Sequence, residues 1–276
     1  MQKKFALGWK RDLPDVRDYT VDDPTIQPML RGLRSVGAAS IPSECNLIKY
    51  CSPIEDQLNL GSCTANAGVG LIEYFQRRAL GEYLDGSRLF LYKVTRNLDG
   101  SVGDTGAYLR TTMKAMTVFG VPPERYWEYE PNRFDEEPSA FLYAFADDYR
   151  ALKYFRLDPS GSSPRETLER VRRHIAAGFP SMFGFTVYGY GNASGEFAFP
   201  EPTDTVQGGH AVVAMGYDDS RKIGRYTGAL KIRNSWGPDW GEQGYGWLPY
   251  EYVLRGLAVD FWSLTKAGFV DTGKFE

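Results

Sequence analysis

Asp56-Gln57-Leu58-Asn59-Leu60-Gly61-Ser62-Cys63-Thr64-Ala65-Asn66-Ala67 is the stretch on which the reading of this chain turns. A helix is predicted from Cys63, because residues 64–80 are good helix formers with Ala67, Leu71, Tyr74 and Phe75 at helical spacing. Gly81 is placed to end it. So few positions before Glu73 are polar that the helix should be buried on most sides. A cysteine in the first turn of such a helix sits at the positive end of the dipole, which favours thiolate over thiol, and a nearby imidazolium would favour it further. Gly61, just before it, leaves room for a substrate backbone to approach.

Two other runs complete a constellation. In Gly208-Gly209-His210-Ala211-Val212-Val213-Ala214-Met215-Gly216-Tyr217 a histidine follows two glycines and opens an apolar strand. In Lys231-Ile232-Arg233-Asn234-Ser235-Trp236-Gly237-Pro238-Asp239-Trp240-Gly241-Glu242-Gln243-Gly244-Tyr245-Gly246 an asparagine stands between a strand and a Trp-Gly-rich turn. Its side-chain oxygen could orient the imidazole, and Trp236 could shield that hydrogen bond from water.

At these three places the chain resembles the papain and cathepsin family of cysteine peptidases. Gly-Ser-Cys, Gly-His-Ala-Val and Asn-Ser-Trp-Gly-x-x-Trp-Gly-Glu-x-Gly-Tyr occur in the family's order, from about residue 41 to residue 252. The resemblance implies an α+β, papain-like two-lobed fold, with a helical lobe, an antiparallel β-sheet or barrel lobe, and the active-site groove between them. It implies Cys63 as nucleophile and His210 as its ion-pair partner and proton donor to the leaving amine. Asn234 would hold the ring, and Gln57 would form the oxyanion hole with the Cys63 backbone N–H. Asp104-Thr105-Gly106 resembles the segment that pairs with the substrate backbone, with Thr105 where one of two glycines is usual. Gly61, Thr105, Gly106, Gly209 and Trp236 are therefore the expected substrate-binding residues.

The chain also departs from the family. Thr64 replaces the aromatic residue that usually follows the nucleophile, leaving a smaller and more polar groove wall. Leu60 stands where secreted relatives place a disulfide cysteine, which fits a reducing compartment. Asn234 follows Cys63 at a longer offset than usual, which implies insertions in surface loops. The segment ahead of the domain is much shorter than the long helical propeptide of eukaryotic members, and in this the chain resembles compact bacterial ones.

Composition sets the frame. The 276 residues suffice for one large domain or two lobes, and 42% hydrophobic with 24% charged residues is ordinary for a globular enzyme. A net charge of -3 gives no general attraction to nucleic acid or to anionic membranes. No stretch approaches the roughly 18–20 apolar residues of a membrane span. The N-terminus begins basic, but its apolar run stops at Trp9 before Lys10-Arg11-Asp12, so it lacks a secretory core and suggests a cytoplasmic protein as written. Cys45, Cys51 and Cys63 are an odd set of three; Cys45 and Cys51 could pair or remain buried thiols. With only His174 and His210, no metal-ligand spacing is found and neither metal nor cofactor is called for.

Residues 1–40 are charged and broken by Pro14, Pro24, Pro28, Gly32 and Gly37, which suits an extended arm or short prosegment as well as a partly ordered terminus. The peptidase domain is expected over 41–276, its helical lobe mainly 41–150 and its sheet lobe mainly 151–276. A second helix is expected over 107–119. A third follows Ser163-Pro164-Arg165-Glu166, a capping box with Pro at the first helical position. Strands are expected at Ser181–Val187, 211–217, 229–233 and 259–264. His174, among arginines, reads as a solvated helix-edge residue, and 189–195 as a surface loop between strands.

The leading functional expectation is an endopeptidase acting on extended peptide or protein substrates. The same residues could instead transfer the acyl group to an amine, or a degenerate site could merely bind peptides. Residues 1–40 could lie along the groove and inhibit the enzyme.

Overall fold

The structure, a computed structural model, describes residues 5–30, 41–150 and 153–264. Expectations for the rest of the 1–40 segment and for 265–276 fall outside the described residues. The helix that opens at the cysteine is α1, Cys63–Leu80, buried from Cys63 through Gln76. Gly81 ends it in the left-handed region at φ 81°, its N–H donating to the Arg77 carbonyl. α2, Arg88–Leu98, was not foreseen in the sequence. Ser87 caps it by accepting from the Phe90 N–H, which is the local signal that announces it.

The helix expected over 107–119 is shorter at its start. α3 covers Leu109–Val118, and Ala107–Tyr108 are extended instead as strand β3. The cause is tertiary: β1, Trp9–Lys10, pairs with them in parallel, Trp9 opposite Ala107. α4 is the short Ala140–Ala146 helix. In α5, Pro164–Ala176, both halves of the capping box form between Ser163 and Glu166.

The remaining strands build one sheet. They are β2 Glu44–Asn46, β4 Tyr154–Arg156, β5 Ser181–Val187, β6 Gly208–Ile223, β7 Tyr226–Arg233, β8 Tyr245–Pro249 and β9 Ala258–Leu264. A short helix, α6, Tyr250–Leu254, lies between the last two. The order is β4-β9-β5-β6-β7-β8, with β2 also on β6, and every pairing is antiparallel. β4 and β8 end the order without meeting, so the sheet is open and not a barrel. α1 packs across β6, which sets Cys63 and His210 on facing elements. Among the described residues, no helix is long and apolar enough to cross a membrane.

A further expectation is corrected, and an alternative the sequence left open is decided. His174 is buried, not solvated: its Nδ1 lies 2.7 Å from the Arg170 carbonyl oxygen and its ring tilts against Phe155. The arginines around it occupy the outer face while its own position turns inward beside Val171 and Ile175. Cys45 and Cys51 are not paired; both are free thiols, as is Cys63.

Residues 5–30 are a docked arm. Arg156 N–H donates to the Tyr19 carbonyl at 2.7 Å. Arg110 of α3 clamps Asp12 and Asp18 at 2.7 Å each, and Arg156 reaches Asp18 at 3.4 Å.

Candidate active site

Cys63 stands at the start of α1 and His210 near the start of β6, both fully buried. Asn234 follows β7 directly and accepts from His210 Nε2–H at 2.7 Å through Oδ1. Because an amide oxygen only accepts, this bond assigns the ring proton to Nε2 and leaves Nδ1 as a basic nitrogen. Nδ1 has no hydrogen-bond partner. Trp236 stacks on the imidazole, ring centroids 4.4 Å apart, and covers it as expected.

Gln57 is buried and held on three sides. Its Oε1 accepts from Ser235 Oγ at 2.7 Å, and its backbone N–H donates to the Ser235 carbonyl at 2.8 Å. Its own carbonyl accepts from Tyr129 O–H at 3.0 Å. Nε2 donates to Leu60 O at 2.9 Å and to Ala6 O at 3.2 Å. The second acceptor belongs to the arm, so the amide already addresses a peptide carbonyl that enters the cleft.

The arm meets that cleft at several points. Phe5 stacks on Trp236 at 4.5 Å. Gly8 N–H donates to Gly209 O at 3.1 Å, and Gly8 O accepts from Ala107 N–H at 2.8 Å. A Cβ at Gly8 would lie 1.9 Å from the Gly61 carbonyl oxygen, so only glycine lets the two backbones come this close. Gly106, at φ 68°, faces Gly8 O in the same way, at 2.1 Å from a Cβ built on it. Gly61, Gly106, Gly209 and Trp236 therefore all meet the arm. Thr105 turns its hydroxyl to the Gly106 carbonyl, 3.1 Å away.

Burial, to which the arm and the body both contribute, decides the charge state. The Cys63 thiol is pushed up to about 11 by burial, against the downward pull of the Ala211 and Gly8 backbone amides and the helix start. His210 is pulled down to about 4 by burial, against the Asn234 bond. Thiol and imidazole are thus both neutral near pH 7 while the arm is in place. The helix terminus, expected to favour thiolate, is outweighed here because water is excluded from the sulfur.

Several supports were not foreseen. Asp104 accepts from the Gly61 N–H with both oxygens, at 3.0 and 3.1 Å, and from Tyr92 O–H at 2.5 Å. This fixes the turn before the nucleophile. Tyr129 bridges Ser62 Oγ, 2.5 Å away, and the Gln57 carbonyl. Ser235 could have been found, since it lies inside the Asn234-Trp236 run; Tyr129 carries no local signal.

Comparison with known proteins agrees with this arrangement. A model of the papain family cysteine proteases matches residues 41–253. An uncharacterized peptidase C1-like protein of Acanthamoeba polyphaga mimivirus is 34% identical over 273 residues, covering 93% of this chain and 85% of that protein. Peptidase 1 of Psoroptes ovis is 24% identical over 230 residues, and there the match takes in 80% of this chain and 65% of the relative. Among solved structures, xylellain, a cysteine protease from Xylella fastidiosa, superposes with a TM-score of 0.75 at 31% identity, covering 96% of this chain and 98% of that one. A family signature spread across both the helical and the sheet portions, with the cleft between them, leaves one conclusion: the chain belongs to the papain family of cysteine proteases.

Proposed function

We propose that this cysteine protease cleaves within extended polypeptides through an acyl-enzyme on Cys63, and that the arm holds it latent until displaced. The observation that carries this reading is the grip on the arm itself. A peptide backbone lies in the cleft bonded to Gly209 on one side and Ala107 on the other, with Gln57 Nε2 aimed at a peptide carbonyl. Such main-chain bonds hold a chain irrespective of its side chains and do not require a free terminus.

The chemistry follows from the geometry once water and substrate replace the arm. Relief of burial lowers the thiol and raises the imidazole, so His210 Nδ1 takes the Cys63 proton and an ion pair forms. The sulfur attacks the peptide carbonyl, whose oxygen gathers charge and is met by Gln57 Nε2–H and the Cys63 N–H. His210 returns the proton to the leaving amine, and a water deprotonated by the same nitrogen then releases the acid from the thioester. Asn234 keeps Nε2–H engaged throughout, and Trp236 keeps water off that bond. In this reading 41–276 is the peptidase domain, helical mainly in 41–150 and sheet mainly in 151–276, and 1–40 is the latency segment.

An epoxysuccinyl peptide probe tests the proposal on the full chain and on a Gly8→Val chain, whose arm cannot seat against Gly61. Labelling should map to Cys63, run faster in Gly8→Val and vanish in Cys63→Ala. A Gly8→Val chain that remains unlabelled at Cys63 while folded would sink the reading. Product analysis with an added amine separates hydrolysis from acyl transfer.

A further inference from the structure

Ser62 stands where a serine ordinarily caps a helix, immediately ahead of α1, yet its hydroxyl makes no bond to the helix N–H groups. It is turned instead to Tyr129, whose oxygen lies 2.5 Å away. Tyr129 O–H in turn donates to the Gln57 carbonyl at 3.0 Å. The direction of these bonds is forced. A carbonyl only accepts and a phenol has one proton, so that proton goes to Gln57 and the Ser62 hydroxyl must donate to the Tyr129 oxygen. The Ser62 oxygen then accepts from Asn66 Nδ2–H at 3.0 Å. Ser62 and Gln57 are fully buried, and Asn66 nearly so.

Tyr129 is itself held in place before any substrate arrives. Its backbone N–H donates to Glu124 Oε1 at 3.1 Å, and the Arg88 guanidinium lies over its ring, 4.2 Å from the centroid. Arg88 is fixed by Glu55 at 2.8 Å and by Glu124 at 2.7 Å. Burial pushes the phenol up to about 12, so it keeps its proton at neutral pH. The Gln57 carbonyl also accepts from the Leu60 N–H at 3.2 Å. Loss of the phenol therefore leaves that carbonyl with a partner, and frees Ser62 to turn back and cap α1. What the phenol adds is a geometric tie. At one end is the residue whose Nε2–H meets the developing oxyanion, and at the other the residue whose peptide bond carries the Cys63 N–H.

We infer that Tyr129 is a positioning residue for the oxyanion hole: through Gln57 and Ser62 it sets the spacing of the two donors that meet the peptide carbonyl oxygen as it gains charge. The inference rests on the peptidase reading above and adds to it a residue of the helical portion that acts only through others. Donors set for the charged oxygen act on the transition state more than on the bound substrate, so the effect belongs in kcat. Displacing such donors, without deleting either, is expected to cost about tenfold.

Kinetics on the Gly8→Val chain, with and without an added Tyr129→Phe, test it. Tyr129→Phe should lower kcat about tenfold with KM little altered. A peptide aldehyde, whose adduct with Cys63 carries the same oxyanion, should bind about tenfold more weakly. Alkylation of Cys63 by iodoacetamide, which forms no oxyanion, should keep its rate. Ser62→Ala cuts the same tie at its other end, and the two exchanges together should lose no more than the larger single loss. Unchanged kcat and aldehyde affinity overturn the inference and leave the peptidase reading standing. So does an alkylation rate that falls in step with kcat, since the tyrosine would then hold the nucleophile and not the oxyanion donors. Losses that multiply in the double exchange overturn it as well. Absence of both cleavage and probe labelling in folded Gly8→Val protein overturns the two readings together.

Discussion

At His210 one hydrogen bond sets which ring nitrogen is left basic. With Nε2–H committed to Asn234 Oδ1, the nitrogen left without a hydrogen-bond partner is the unprotonated one. Asn234→Ala frees the ring to rotate and to change tautomer, so kcat should drop by on the order of a hundredfold with KM little altered, as steady-state kinetics on the arm-displaced chain would record. His174 presents the opposite case, a histidine whose role is to remain neutral. Burial pulls it down from 6.5 to about 4. A histidine depressed in the folded state contributes stability above its unfolded value, and loses it as pH falls through the window from about 6.5 to about 4. Thermal melts of the unsubstituted chain and of His174→Gln should therefore converge as pH falls, the unsubstituted chain giving up about 2 kcal/mol of its advantage by about pH 4.5. A difference that is flat with pH would show that His174 is not held neutral. The contrast between the two histidines was not visible in the sequence. The Gly-Gly-His-Ala context marked His210, but whether His174 faced water or core depended on how α5 packs, with His174 against Phe155 of β4.

At the scale of elements, agreement between local signals and structure is closest where the signal is chemical. The Ser163–Glu166 box forms as its sequence dictates, with Ser163 N–H donating to Glu166 Oε2 at 2.7 Å and Glu166 N–H to Ser163 Oγ at 3.2 Å. Ser163→Ala should cost about 1 kcal/mol, read as a lowered Tm without loss of Cys63 labelling. α1 and the four expected strands also form where periodicity placed them, although β6 and β7 extend beyond their expected ends. The misses have a different origin. Ala107 and Tyr108 have helical pattern behind them, yet they are extended because the arm supplies a strand to pair with. β2 lies in the helical half of the chain but joins β6 in the sheet, Cys45 opposite Tyr217. Pairing with a distant strand leaves no periodic trace in so short a segment.

Across the whole molecule, the arm and the protease form one continuous core. Trp9, Ile26 and Leu30 belong to the same buried cluster as the sheet and α1. The ionic part of the attachment converges on two arginines. Arg110 donates to Asp12, Asp18 and the Leu13 carbonyl, and Arg156 to Asp18, Asp158 and Asp260. Removing the first set without touching the cleft should shorten the time the arm stays seated. Arg110→Ala is expected to raise the rate of Cys63 alkylation about tenfold, in proportion to the loss of charge-assisted bonds. An unchanged rate would place the hold on the arm in its apolar contacts and backbone bonds alone.

The sequence by itself singled out the candidate catalytic set: Cys63 at a helix start, His210 after two glycines, Asn234 and Trp236 in one long run, and Gln57 ahead of Cys63. Those residues were legible because each proposed role demands a residue type in a local backbone setting, and local settings are written in adjacent residues. The tertiary structure alone decided that the arm threads the cleft, that burial holds Cys63 and His210 neutral beneath it, and that Tyr129 bridges Gln57 and Ser62. Each of these depends on residues far apart in the chain meeting within a few ångströms, where exclusion of water, and not residue identity, sets charge and fit.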